Sequence, residues 1–233
     1  MSAFQWHVLS SPQGGRKPTV GWQKAHPMKL HPVMKLSPIS VRVKPNGKFR
    51  LLHDLSFPYD SNAVNKNIAD RDARVDYPSI REAISIFNCL DSLWLSKADL
   101  KDAYRQLPLA PDQYWLMGFR LEGAYYYDLR LPMGARSSCR IFERVSSALA
   151  FALKSSFGVR HIVKMLDDFL FIGDSKEECQ RALDSFNSLC REINFPWAEE
   201  KTVAPTKRLT FLGYQLDVRR GTVSIPEDKV EST

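Results

Sequence analysis

The segment HIVKMLDDFLFIG, positions 161–173, constrains this chain more than any other. Two apolar runs, 162–166 and 169–172, flank Asp167 and Asp168. Each run is long enough for a buried strand, and two residues between strands is hairpin spacing. Such a turn prefers Gly or Asn at positive φ, so Asp-Asp is a poor choice for stability alone. Adjacent carboxylates repel one another, and an apolar setting disfavours their charge. A divalent cation held by the carboxylate oxygens would compensate. Magnesium favours hard oxygen ligands and often takes only one or two protein carboxylates plus substrate phosphates. The plain alternative is a solvent-exposed turn, where two acids cost little.

Asp99 adds to the pattern. It follows a short apolar strand expected over residues 93–98. Read plainly, it is a helix N-cap, a frequent use of Asp after a strand. If this strand lies beside the 161–173 hairpin, three carboxylates converge at one sheet edge. That arrangement suits two-metal phosphoryl chemistry, in which paired ions about 3.5–4 Å apart activate an attacking hydroxyl and steady a leaving pyrophosphate. Periodicity allows this convergence without requiring it.

The rest of the chain mixes strands and helices. Ile39, Val41 and Val43 alternate with polar residues as in a half-buried strand. Pro45-Asn46-Gly47 is a turn, and residues 49–55 return, making a hairpin. Residues 56–76 are irregular. A helix is expected over 79–90, with Ile80, Ala83, Ile84 and Phe87 on one face. Residues 118–121 and 124–131 form a second hairpin around Glu122-Gly123, and residues 138–154 a helix. In 176–194 the apolar residues Cys179, Ala182, Leu183, Phe186, Leu189, Cys190 and Ile193 form one core-facing stripe. Ser175 and Glu178 supply its capping box. Residues 209–216 and 222–225 flank Arg219-Arg220-Gly221 as a last hairpin. Many hairpins among helices imply an α+β fold built on an antiparallel sheet.

Charge divides the chain unevenly. Nine cations (Arg16, Lys17, Lys24, Lys29, Lys35, Arg42, Lys44, Lys48 and Arg50) precede the first acid, Asp54. That leaves 24 of the 33 basic side chains against all 26 acidic ones. A polyanion, most commonly nucleic acid, would explain the excess; a solvated basic tail would explain it equally. Residues 1–40, which contain Pro12, Pro18, Pro27, Pro32 and Pro38, read as loosely structured, with 1–37 as a basic N-terminal segment. The hydrophobic content of 44% excludes a wholly disordered chain. No apolar run approaches the roughly 18–20 residues of a membrane span. No secretory signal is visible, and Cys89, Cys139, Cys179 and Cys190 have no paired metal-site spacing. An intracellular, reducing location without a membrane partner is expected.

Six segments in order resemble the reverse transcriptases: KPNGKFRLLHD (44–54), ADLKDAYRQLPL (98–109), YYDLRLPMGARSSCRIF (126–142), MLDDFLFIG (165–173), EEKT (199–202) and FLGYQL (211–216). HDLSFP (53–58), LPMGARSSCRIFERVSSAL (131–149) and FLGYQLDV (211–218) look most like the DIRS-type retroelements, which carry a tyrosine recombinase. The resemblance implies reverse-transcriptase-like fingers and palm, with an antiparallel palm sheet packed on helices. Fingers would span 38–92. The palm would span 93–233, with an interleaved fingers segment and a C-terminal hairpin like a primer grip. Thumb and RNase H regions are expected to be absent.

Roles follow from the resemblance position by position. Asp99, Asp167 and Asp168 match the catalytic, metal-holding acids, with two Mg²⁺ expected and Mn²⁺ as a substitute. Tyr104 matches the aromatic gate under the nucleotide sugar. Lys48 and Arg50 match cations on the incoming triphosphate, a role suited to the bidentate Arg fork. Pro132, Met133 and Gly134 match the turn beneath template and nucleotide. Lys201 matches the palm lysine near the leaving pyrophosphate. Phe211, Leu212 and Gly213 resemble the hairpin that steadies the primer. Met165 stands where the paired-acid motif often begins with Tyr, and Met133 replaces a residue that is polar in some relatives.

The implied activity is RNA-directed DNA polymerisation, with an RNA or DNA template, a DNA primer and dNTPs as partners. An RNA-copying RNA polymerase is a sibling reading that Tyr104 opposes. A catalytically inactive nucleic-acid-binding fragment of a decayed or domesticated element is the alternative from another class. A plain interaction domain would leave two acids in an apolar hairpin unexplained.

Overall fold

The computed structural model of the chain describes residues 22–24, 34–43, 47, 49–75, 80–87 and 93–226. In chain order the elements are β1 (Trp22–Lys24), β2 (Ile39–Val43), β3 (Phe49–His53), α1 (Asp70–Ala73), α2 (Ile80–Phe87), β4 (Trp94–Asp99), β5 (Gly118–Leu121), β6 (Ala124–Asp128), α3 (Ser138–Phe157), β7 (His161–Met165), β8 (Asp168–Gly173), α4 (Lys176–Glu192), β9 (Val203–Thr206), β10 (Arg208–Phe211), β11 (Tyr214–Asp217) and β12 (Thr222–Ser224).

The organising unit is a four-stranded antiparallel sheet in the order β7-β8-β4-β9. Both faces of it are covered, so its strands read as continuous apolar runs rather than alternating ones. On β8, Phe169 and Phe171 face α3 and α4 and pack with Phe142, Leu153, Leu183 and Phe186. Leu170 and Ile172 face the other way, against Ala83 of α2 and Leu209, Phe211 and Leu216 of the C-terminal hairpins. The α4 stripe behaves as its spacing predicts from Cys179 to Cys190, all buried. Ile193 lies past the helix end and is exposed. Ser175 caps α4 by accepting from Glu178 N–H. The return arm differs from a capping box: Glu178 accepts from Asp174 N–H and grips Arg160. Helix α3 ends at Gly158, whose φ of 67° and N–H bond to Leu153 O make a left-handed cap.

Two three-stranded sheets flank this unit, β1-β6-β5 and β10-β11-β12, with the β2–β3 hairpin beside them. Several expectations need correcting. The stretch 1–37 contributes β1 to a sheet, and Lys35 and Ser37 bond to Trp115 and Gly118. Strand β2 is not half-buried: Val41 and Val43 are exposed. Residues 209–216 are not one strand. They fold back at Leu212-Gly213, both at positive φ (49° and 83°), into the β10–β11 hairpin. Strand β6 stops at Asp128, whose carboxylate accepts from Arg130 N–H and Arg105 Nη1 and starts a turn.

Candidate active site

The acids of the 161–173 hairpin do not form its turn as the spacing implied. The turn residues are Leu166 and Asp167; Asp168 opens β8, opposite Met165. Positive φ falls on Leu166, at 52°, and not on either acid. A bulky residue held there stores strain of roughly 1–3 kcal/mol.

Strand β4 brings the third carboxylate alongside. Asp99 is the cross-strand partner of Asp168, and Leu100 N–H donates to Asp167 O at 2.8 Å. That bond makes Asp99 and Asp168 a non-hydrogen-bonded pair, whose Cα atoms lie about 4.5 Å apart with side chains on one face. Two like charges about 5 Å apart repel by about 3 kcal/mol at an effective dielectric near 20. The site offsets this with two lysines. Lys201 Nζ donates to both oxygens of Asp99, at 2.8 and 3.0 Å. Lys97 Nζ lies 2.9 Å from Asp168 Oδ1. This is an ion contact without hydrogen-bond alignment, since the buried Oδ1 has no hydrogen-bond donor.

Protonation follows from these surroundings. Burial pushes the Asp167 carboxyl up to about 6, and the charges of Asp99 and Asp168 add to it against a backbone hydrogen bond. Burial also raises Asp99, opposed by Lys201. Burial alone would lower the Lys201 ammonium, but the bond to Asp99 and the charges of all three acids hold it above its usual value. Among the described residues, no three acidic, Cys or His side chains are gathered closely enough to hold an ion as they stand.

The other expected residues fall at varying distances from this centre. Tyr104 sits on the 3₁₀ turn Ala103–Gln106 just after β4. Its ring meets Phe142 edge-on at 5.4 Å and its hydroxyl contacts Cys139 Sγ at 3.2 Å. Pro132, Met133 and Gly134 form a turn fastened to the end of β3. His53 N–H donates to Met133 O, and Asn65 Nδ2 donates to Gly134 O. A Cβ on Gly134, at φ 132°, would lie 1.8 Å from His53 O, so only Gly fits. Met165 is half-buried beside Asp168. Phe211 is fully buried under Lys97, whose Nζ lies 5.9 Å from the ring centroid, while Leu212 and Gly213 form the hairpin tip. Arg50 is exposed on β3 opposite Arg42. Lys48 lies outside the described residues. Lys97 was missed, although alternation along β4 puts it two residues from Asp99 and on the same face.

Comparison with known proteins agrees with this architecture. A foamy viral protease-reverse transcriptase solved in complex with double-stranded DNA superposes with a TM-score of 0.70 at 21% identity, over 91% of this chain and 34% of that one. The same kind of protein in complex with an RNA/DNA hybrid gives 0.70 at 20% identity, over 91% and 25%. The fold is therefore α+β with reverse-transcriptase-like fingers and palm. Residues 43–216 match the reverse transcriptase (RNA-dependent DNA polymerase) family, and the chain belongs to that family. Among curated relatives, the Gag-Pro-Pol polyprotein of Human T-cell leukemia virus 2 is 28% identical over 76% of this chain and 12% of its own length. The retrovirus-related Pol polyprotein from transposon gypsy of Drosophila melanogaster is 28% identical over 70% and 15%. The chain thus spans a small part of the length of these relatives.

Proposed function

We propose that this chain is the RNA-directed DNA polymerase domain of a retroelement, adding dNTPs to a primer 3′ end on an RNA or DNA template. The observation that carries the proposal is the backbone register that sets Asp99 opposite Asp168, with Asp167 adjoining, at the end of the β4–β8 pair. Three hard oxygen donors on adjoining backbone positions, one of them a buried oxygen with no hydrogen-bond donor, fit a divalent cation of the magnesium kind. Asp99, Asp167 and Asp168 would hold the ions. When bound, two such ions supply Lewis acidity to the attacking hydroxyl and charge for the leaving pyrophosphate.

The protein's own groups do the rest. Lys201, with its side chain 58% exposed, can leave Asp99 and meet phosphate oxygens. Tyr104 is buttressed by Phe142 and Cys139, which fix the floor under the nucleotide sugar. The Pro132–Gly134 turn, locked to His53, carries the nucleotide and template from below. Arg50 serves the triphosphate, and the Phe211–Gly213 tip steadies the primer. Within the family, the segments 53–58, 131–149 and 211–218 support a place among DIRS-type elements.

A second reading, a nucleic-acid-binding domain without turnover, draws on the lysines that occupy two of the three acids. Primer extension separates the two. RNA and DNA templates are offered with dNTPs or rNTPs, in Mg²⁺ or chelator. Mg²⁺-dependent dNTP addition on RNA supports the polymerase. Binding without addition on either template would leave the second reading.

A further inference from the structure

The loop that follows β3 sends its apolar residues in two directions. Leu55 and Val64 go inward and pack with Leu109, Met117, Leu131 and Ala135. Phe57 and Tyr59 stay outside, 41% and 69% exposed. They are nonetheless set against each other, with ring centroids 6.0 Å apart and planes at 80°. Asp54 fixes the arrangement. One of its carboxylate oxygens accepts from Ser56 N–H at 3.1 Å, and the other from the Tyr59 hydroxyl at 2.7 Å. Tyr59 N–H donates to Ser56 O, closing a tight turn that holds Tyr59 at φ 71°. A bulky aromatic is a poor choice for that conformation, which Gly or Asn takes readily. Neither ring offsets the strain by packing in the core.

The loop is fastened to the turn that carries nucleotide and template in the polymerase reading. Asn65 Nδ2 donates at 2.9 Å both to Ser56 Oγ, next to Phe57, and to Gly134 O. Asn65 Oδ1 accepts from Arg136 N–H at 2.8 Å. One amide therefore ties the loop of the aromatic pair to the Pro132–Gly134 turn. Lys66, on the 3₁₀ turn Val64–Asn67, is exposed and has no carboxylate partner among the described residues. We propose that Phe57 and Tyr59 form a stacking platform for an unpaired base of the template strand, ahead of the active site. The identity of the strand rests on the polymerase reading. Exposed aromatics beside cations suit a single strand, because every base has a π-face and stacks whatever its sequence. A duplex offers no such face along its side, since its bases are already stacked on one another.

The test uses fluorescein-labelled primer–template duplexes, without nucleotide, and reads affinity by anisotropy. One duplex is blunt, one carries a short unpaired 5′ extension of its RNA template, and one has that extension built of abasic units. The full chain is compared with Phe57→Ala, Phe57→Trp and Tyr59→Asn. Asn accepts positive φ, so Tyr59→Asn removes the ring without adding strain. The parent should bind the base-bearing extension at least about fivefold more tightly than the abasic one. Phe57→Ala and Tyr59→Asn should each lose most of that difference and bind the blunt duplex as the parent does. Phe57→Trp, which keeps an aromatic face, should retain it. A parent that does not distinguish base from abasic extension, or binds no duplex, overturns the proposal. So do ring-deleted variants that keep the parental difference; if they also lose self-association in sedimentation, the rings serve a second copy of the chain. An equal loss on the blunt duplex overturns it too, since the rings would then act through folding. Primer extension on the same proteins separates the two readings. A parent that favours the base-bearing extension but never adds dNTP in Mg²⁺ supports the platform and removes the polymerase. A parent that adds dNTP without base-dependent binding removes the platform alone.

Discussion

At Asp167, burial and two neighbouring acids act in the same direction. Its folded pKa of about 6 lies above the ordinary 3.8, so the folded chain holds this proton more tightly than the unfolded one. The stability that the proton brings is complete below about pH 4 and is lost as pH rises through about 6. In chelator, thermal melts from pH 4.5 to 7.5 should therefore show Asp167→Asn losing less stability than the parent as pH rises. Parallel curves would place the titration elsewhere. Tyr104 makes a prediction of another kind. Tyr104→Val should raise rNTP use relative to dNTP, because the smaller side chain leaves room for one hydroxyl. Discrimination is a difference between two affinities, so both substrates must be measured. An unchanged ratio would return Tyr104 to a packing role against Phe142.

The buried strands of the sheet were legible in sequence because burial on both faces writes itself as unbroken apolar runs, and the α4 stripe because its spacing is helical. Two things were not. The turn at Leu166-Asp167 puts positive φ on a leucine, against residue preference, so its register could not be placed from composition. The clustering of the acids depended on the pairing of β4 with β8, and Lys97 became visible only with that register. The Leu212-Gly213 turn hid within an apolar run for a similar reason, since Leu212 is an uncommon residue at positive φ. Elements make sharp predictions. Phe186 is fully buried, with ring centroids 5.1 and 5.6 Å from Phe169 and Phe171. Phe186→Ala should cost about 3–5 kcal/mol by denaturant titration. Gly134→Ala must push the turn off His53 O, and should lower the melting temperature and nucleotide affinity together. A variant with both unchanged would show that the turn is free to move.

For the whole molecule, the formal net charge of +7 is concentrated before Asp54. Binding to a primer–template duplex should weaken steeply with salt, because each neutralised phosphate releases condensed counterion. Replacing Arg16, Lys17, Lys29 and Lys44 by Gln should flatten the log–log slope and leave Mn²⁺ binding unaltered. A slope that stays the same would assign these cations to solvent. The central claim, that three aspartates at the end of the β4–β8 pair form a polymerase centre, is tested most directly by single-nucleotide incorporation. A primer annealed to RNA is mixed with the correct dNTP and Mg²⁺, and the parent is compared with a folded Asp167→Asn chain. The account predicts extension by the parent and a loss of several orders of magnitude in the variant. Equal extension by the two would contradict it.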